Sequence, residues 1–365
     1  MSTEPEIVFV VGTRPEIIKT APVLRAVRDS DALDVHVVHT DQHYDDNMSA
    51  AFFEVLNLGM PDEHLGVGSG TQGEQTAKGL MKIERLLGDR SPAAVLAQGD
   101  TNAVLSTALS ASKLPVDFGH IESGIRSYDR SMPEETNRVL ADHVAELNFA
   151  PTDVAVENLA DEGIEDGVHA TGNTVVDACL QHRSFAESES TILDDFGLTA
   201  GKFVAVTIHR PVNTDDPDRL TTILEAFDGQ AFPVVFPCHP RTRTAIDDLG
   251  FEPTGSLRLV EPLDYIDFLN LQANARLVVT DSGGIQEEAS ILQVPCLTVR
   301  PNTERPETVD AGVNKLIPPA ALNAEIRKLF GDSEAHEAMR GAPDLYGEGN
   351  SGARIADILE RRYGA

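Results

Sequence analysis

Ile7-Val8-Phe9-Val10-Val11-Gly12-Thr13-Arg14-Pro15-Glu16-Ile17-Ile18-Lys19 is the stretch on which the fold turns. Five apolar residues end at a glycine. Thr13 and Glu16 then have capping-box spacing, and Pro15 suits a first helical turn, so a buried strand is expected to run straight into a helix. Apolar runs of strand length recur ahead of helical patterns at Val35–His39, Ala93–Ala97, Val204–Ile208, Val234–Phe236, Leu277–Thr280 and Cys296–Val299. Strands alternating with helices predict an α/β chain with parallel sheets covered on both faces. Almost every run ends in small or functional residues: Gly12-Thr13-Arg14, Gln98-Gly99-Asp100, Ile208-His209-Arg210, Cys238-His239-Pro240 and Asp281-Ser282-Gly283-Gly284. In open α/β sheets ligands bind in the crevice beyond the strand C-termini, which makes these five clusters the site candidates.

The 365 residues suit about two domains. Strand-rich halves flank Thr171-Gly172-Asn173-Thr174, and residues 148–171 between them are rich in acids and small residues with weak apolar periodicity. We expect a first Rossmann-like domain over 1–171, a second over 172–350, and a C-terminal helix over 351–365 returning to the first, the two doubly wound domains facing across a cleft. The 41% hydrophobic and 24% charged composition excludes a coiled coil and a largely disordered chain. No apolar run approaches the roughly 18–20 residues of a membrane span, and the acidic start Met1–Glu6 lacks the basic region of a secretory signal, so no membrane partner and a cytoplasmic location are expected. Cys179, Cys238 and Cys296 show no CxxC spacing, so buried free thiols are expected, with neither a disulfide framework nor a zinc site.

Fifty-nine acidic residues against 29 basic ones leave a net charge of −30, and only seven of the basic residues are lysines. Sequence-independent binding to nucleic acid needs Lys and Arg on phosphates, so nucleic acid is not an expected partner. So large a charge opposes compaction in dilute buffer and keeps a protein dispersed in concentrated salt, which predicts a halophilic host.

Arg14 at a helix start with Lys19 a turn further on makes an anion site, or equally a capped helix with two solvated cations. Thr280–Glu288 repeats the strand, small turn and helix in the second half. Paired glycines there let backbone approach a diphosphate, and a carboxylate one turn on can accept from ribose hydroxyls. The spacing is not GxGxxG, so NAD binding is not read from it. Asp100 and Glu122 follow apolar runs, and a pair of convergent carboxylates is what proton transfer at carbon requires. Glu134 reads as well as part of a capping box, Ser131-Met132-Pro133-Glu134, as it does as a catalytic acid. His209-Arg210 at a strand end reads as facing an anion; the charged loop with Arg300, Glu304, Arg305 and Glu307 reads as a solvated surface.

Taken together, Gly12–Glu16, Gln98–Thr101, Gly119-His120-Ile121-Glu122-Ser123-Gly124, Pro133–Arg138, Thr171–Thr174, Thr207–Arg210, Asp281–Glu288 and Thr303–Glu307 resemble the non-hydrolysing UDP-N-acetylglucosamine 2-epimerases, in order over most of the chain. The resemblance implies a GT-B-like arrangement with UDP in the interdomain cleft, a homodimer, a UDP-sugar substrate in polysaccharide biosynthesis, and no metal or other cofactor. It puts Arg14, Ser282, Gly283, Gly284 and Glu288 at uridine and phosphate contacts, and Phe268 and Arg305 at further nucleotide contacts. Lys19, Asp100, Glu122, Glu134 and His209 match catalytically important positions. Two stretches depart from the bacterial pattern: Gln42-His43-Tyr44-Asp45 stands in place of Gln-His-Arg-Glu, and His209-Arg210-Pro211-Val212 in place of His-Arg-Arg-Glu. Some of those positions serve a second, activating substrate site in bacterial members, so the resemblance does not carry that activation over.

The implied reaction explains the groups. A C2–H beside an acetamido group is not acidic, but loss of UDP leaves C1 oxocarbenium-like and makes that proton acidic. Anti elimination then gives 2-acetamidoglucal, and UDP adds back after protonation on the other face. A hydrolysing epimerase, an epimerase of a related UDP-diacetamido sugar, a GT-B glycosyltransferase and a non-catalytic UDP-sugar sensor are the alternatives.

Overall fold

The computed structural model describes residues 4–41, 53, 56, 58–340, 345–346 and 348–364; Gln42-His43-Tyr44-Asp45 lies outside them. The chain forms two compact units, Met1–Ala178 with Tyr346–Ala365, and Cys179–Leu345. The division falls inside the helix Thr174–Glu189, which begins at the Thr171–Thr174 turn.

In the first unit, β1 (Glu6–Val11), β2 (Asp34–His39), β3 (Glu63–His64), β4 (Ala94–Gln98), β5 (Asp117–Ile121), β6 (Leu147–Ala150) and β7 (Val168–Ala170) pair in parallel among the described residues, in the order β3-β2-β1-β4-β5-β6-β7. β1 is buried on both faces because both are apolar. Ile7, Phe9 and Val11 pack with the helices Arg14–Arg28 and Ser351–Tyr363, while Val8 and Val10 pack with the helices Gln72–Arg90 and Asn102–Ala111. Ile355, Ala356 and Leu359 seat the C-terminal helix in the first unit's core.

The second unit repeats the scheme with β8 (Val204–Thr207), β9 (Val234–Pro237), β10 (Leu257–Val260), β11 (Leu277–Thr280), β12 (Cys296–Thr298) and β13 (Asn314–Leu316), in the order β10-β9-β8-β11-β12-β13. Val204 and Val206 face one apolar layer; Phe203, Ala205 and Val235 face the other. The two doubly wound α/β sheets expected from the sequence are therefore present. Each order reverses once, between β1 and β4 in the first unit and between β8 and β11 in the second. Those are the positions at which such sheets open a crevice at their carboxyl ends.

Two expectations need correction, at Ser131 and in the loop after Val299. Residues 148–171 form β6, the helix Asp153–Asp161 and β7. Their periodicity is weak because this is the sheet edge, where that helix buries only Ala155 and Leu159 and β7 none of its three residues. Ser131 does not cap the next helix. Pro133 at its start moves the N-cap to Met132, which has no side-chain acceptor, and the Ser131 hydroxyl donates to Asp129 instead. The loop after Val299 is not a solvated surface, since Arg300 and Arg305 are each only 7% exposed. All three cysteines are buried and free. Among the described residues no helix is long and apolar enough to cross a membrane.

One packing constraint gives a direct test. Gly124 has φ +78°, and a Cβ there would lie 2.2 Å from the backbone oxygen of Ala155. Gly124→Ala therefore combines left-handed strain with overpacking against backbone that cannot rotate away, a cost of about 3–5 kcal/mol. Denaturant unfolding should show it as a lowered midpoint, and a midpoint unchanged from the parent chain would refute the clash.

Candidate active site

At the first unit's crevice, Gly12 and Thr13 turn the chain from β1 into the helix Arg14–Arg28, in which Arg14 is the first residue and half-buried. Glu16 fixes this turn. Its carboxylate accepts the N–H of Gly12 at 2.8 Å and of Thr13 at 2.6 Å, and the Thr101 hydroxyl at 2.5 Å, tying the end of β1 to the end of β4. Burial pushes its pKa up against those hydrogen bonds. Glu16 belongs to the turn itself, as its capping-box spacing indicates.

One helical turn on, Lys19 donates to both oxygens of Glu122, at 2.9 and 3.0 Å. Glu122 directly follows β5, is 8% exposed, and holds φ +72°. A non-glycine residue in that region costs of order 1–3 kcal/mol and persists where its surroundings impose it, as at functional sites. Gln98 of β4 is in register with Ile121 of β5, so Asp100 and Glu122 emerge from adjacent strand ends. Asp100 pairs with Arg138, and its backbone carbonyl accepts from Asn137 at 2.9 Å. Glu134 occupies the first turn of the helix Pro133–Val144, half-buried, and its side chain makes no hydrogen bond or ion pair among the described residues. The neighbouring Glu135 is structural. Burial works to raise its pKa but is outweighed by hydrogen bonds from Ser127, Tyr128 and Arg138, and it ends below the usual carboxylate range.

Beneath this crevice lies a charge cluster that the sequence does not announce. His120 is fully buried, with Nδ1 2.5 Å from Asp142 and Nε2 2.7 Å from the carbonyl of Gly99. Both partners accept, so both ring nitrogens carry protons and the imidazole is a cation. Asp142 also accepts from Arg126 at 2.6 Å and from the N–H of Gly124 at 3.0 Å; Arg126 in turn holds Glu162. Burial opposes both charges, yet the attraction of Asp142 raises His120 above 6.5 and the attraction of His120 lowers Asp142 below 3.8. The sign for stability follows. The contribution of His120 is complete below 6.5 and is lost as pH rises from there through its raised value; that of Asp142 is complete above 3.8 and is lost as pH falls below it. We expect unfolding free energy to fall as pH rises above 6.5, by up to about 1.4 kcal/mol per pH unit, and His120→Asn to remove that slope. Parallel pH–stability curves for the two proteins would contradict the charged assignment.

In the second unit the crevice is framed by His209-Arg210 after β8 and Ser282-Gly283-Gly284 after β11. Asp281, fully buried, organises it by accepting the N–H of His209 at 3.1 Å, the N–H of Arg210 at 3.0 Å and the Asn213 amide at 2.9 Å. The His209 ring keeps 45% of its side-chain surface exposed, and burial with the nearby Arg210 and His239 lowers its pKa despite Asp281. Ser282 is the N-cap of the helix Gly283–Ile291.

The two glycines of that helix start differ in purpose. A Cβ on Gly283 would sit 2.5 Å from a carboxylate oxygen of Glu304, whereas one on Gly284 would meet nothing within 4 Å. Gly283 thus makes room for protein, and Gly284 leaves open backbone at a helix N-terminus suited to an anion. Glu288 accepts from Gln272 at 2.8 Å, and Phe268 packs at the margin of the apolar layer. Arg305 pairs with the buried Glu287 at 2.7 Å, while Arg210 and Arg300 pair with Glu304 at 3.0 and 2.7 Å. The arginines that read as surface therefore belong to a buried ion-pair layer behind the helix start. Lys19, Asp100 and Glu122 lie at the first unit's reversal point and His209 with Ser282-Gly283-Gly284 at the second's, whereas Glu134, Phe268 and Arg305 follow other strands. The motifs contain Glu135, His120 and Asp281, but their supporting roles, and Asp142, are not read from the sequence.

Comparison with known proteins agrees with this geometry. A family model described as UDP-N-acetylglucosamine 2-epimerase matches residues 25–360. A UDP-N-acetylglucosamine 2-epimerase of Methanocaldococcus jannaschii is 44% identical, over 96% of this chain and 98% of the relative. A UDP-2,3-diacetamido-2,3-dideoxy-D-glucuronate 2-epimerase of Pseudomonas aeruginosa is 39% identical, over 98% of this chain and 99% of the relative. The crystal structure of the M. jannaschii UDP-GlcNAc 2-epimerase in complex with UDP-GlcNAc and UDP superposes with a TM-score of 0.87 at 42% identity, covering 98% of this chain and 99% of that one. With strand order, crevice residues and whole-length likeness in agreement, the chain belongs to the UDP-N-acetylglucosamine 2-epimerase family.

Proposed function

We propose that the protein interconverts UDP-N-acetylglucosamine and UDP-N-acetylmannosamine without net hydrolysis. The C1–O bond to UDP breaks as a carboxylate takes the C2 proton, giving 2-acetamidoglucal and UDP; a second acid returns a proton to the opposite face and UDP re-adds at C1. The observation that carries this reading is the pair of carboxylates, Asp100 and Glu122, emerging from register-paired strands at the first unit's reversal point, with the Lys19 ammonium on Glu122. Two of Asp100, Glu122 and Glu134 serve as base and acid. Arg14, Lys19, His209 and the helix start at Ser282-Gly283-Gly284 stabilise the departing diphosphate, and Phe268, Glu288 and Arg305 serve the nucleoside portion directly or by support. The 39% identical relative favours one second reading, the same chemistry on a UDP-diacetamido uronate. We further read the protein as a cytoplasmic homodimer serving polysaccharide biosynthesis; light scattering tests the assembly.

Incubation with UDP-N-acetylglucosamine in molar KCl made up in D2O, followed by NMR, tests the reaction. UDP-N-acetylmannosamine bearing deuterium at C2 is expected. Free N-acetylmannosamine would assign the hydrolysing reaction instead, and turnover confined to the diacetamido uronate would assign the second reading.

A further inference from the structure

We propose that His39, Asp41 and His64 form a site for one divalent transition-metal ion at the β2–β3 edge of the first unit. The backbone builds this cluster. His39 and His64 are direct register partners of the parallel β2–β3 pair, so their side chains leave the sheet on the same face, and the ladder continues as the N–H of Leu65 donates to His39 at 2.9 Å. Their rings stand 5.7 Å apart between centroids. Asp41 follows two residues after His39 with φ +51°, a conformation a non-glycine residue adopts at a cost, and its Oδ2 is fixed by the N–H of Gly66 at 2.9 Å. The other oxygen, Oδ1, is approached by Nδ1 of His39 and, at 2.8 Å, by Nδ1 of His64.

Two imidazole nitrogens and a carboxylate oxygen thus converge within 4.8 Å, the one such group of His, Cys, Asp or Glu among the described residues. The His39 side chain is 3% exposed and its Nε2 has no partner, so its whole polar engagement is through Nδ1 toward Asp41. His64 is half-exposed and free to adjust. An ion replacing the two Nδ1 protons would need ligand distances of about 2.0–2.2 Å, reached by small side-chain rotations with the backbone in place. Two imidazoles and one carboxylate suit Zn2+, Co2+ or Ni2+ and leave positions for water, whereas Mg2+ and Ca2+ prefer oxygen alone. β3 is only two residues long and backbone hydrogen bonds on either side of it tie this edge to β2, so such an ion would add a side-chain clamp to that pairing. None of the three residues belongs to the proposed reaction, so the test reads metal and not turnover.

Co2+ is titrated into chelator-treated protein in molar KCl, where loose binding to the acidic surface is screened, and visible absorption is recorded. One equivalent should give a ligand-field spectrum that Zn2+ abolishes, and Zn2+ should raise the thermal midpoint. His64→Ala, at a half-exposed position, should weaken Co2+ binding by more than the roughly 10–100-fold expected for losing an outer-shell partner. Asp41→Asn should do the same, and His169→Ala, at the opposite edge of the sheet, should bind as the parent does. Absence of a Co2+ spectrum, or binding undiminished in folded His64→Ala, would overturn the site.

Discussion

Glu122→Gln is expected to lower kcat by about 10²–10⁴-fold while leaving UDP affinity within a factor of two or three, the range general acid–base groups contribute. Glutamine keeps the shape and can still accept from Lys19, but it cannot take or return a proton. The fold should tolerate the change, because Lys19 retains 20% side-chain exposure and is not left as a buried unpaired charge. Asp100→Asn should act similarly, with an added effect through Arg138, which loses a full charge from its partner. Solvent deuterium incorporation separates the roles: the variant lacking the base loses exchange at C2, while the variant lacking the acid on the other face still exchanges the substrate proton but forms little epimer. If both variants kept turnover within tenfold of the parent, about 1.4 kcal/mol in barrier, the carboxylate assignment would fall.

The second large effect is on stability in salt. With a net charge of −30, the compact chain repels itself over distances that about 0.1 M salt screens at roughly 10 Å and 1 M at roughly 3 Å. Raising KCl from dilute buffer to molar concentration should therefore stabilise the folded state by about 3 kcal/mol, seen as a rise of about 4 °C in Tm. The buried pairs, Arg126 with Asp142 and Arg305 with Glu287, are shielded from solvent and should not be the part that weakens. A Tm that stayed flat or fell across the series would remove the halophilic reading and leave the acidic surface without this explanation.

The fold was legible because its strongest signals are local. Buried strands such as Ile7–Val11 and Leu277–Thr280 are continuous apolar runs, and each runs within a few residues into a helix start. The edge of the first sheet was not legible, because β3 and β7 bury little and carry no run long enough to register against their surroundings. The strand-end positions of Lys19, Glu122, His209 and Gly284 were legible because each sits in a contiguous motif just after a strand. The capping-box pattern misled at Ser131 and not at Thr13, since only the actual chain path decides whether a hydroxyl faces the first free N–H groups.

The sequence by itself determined the α/β class, the presence of two doubly wound halves, the net charge, and the short motifs at the strand ends. Each depends on residues within about one turn or strand of one another, or on a sum over the chain. The tertiary structure alone decided which charges are supports. His120 becomes a cation only because Asp142 and the Gly99 carbonyl are brought to its two nitrogens. Asp281 works as a scaffold because three donors from residues 209–213 converge on it. His39 and His64 become neighbours only through strand register across 25 positions of chain. Burial and convergence are properties of distance in space, and a linear string of side chains does not contain them.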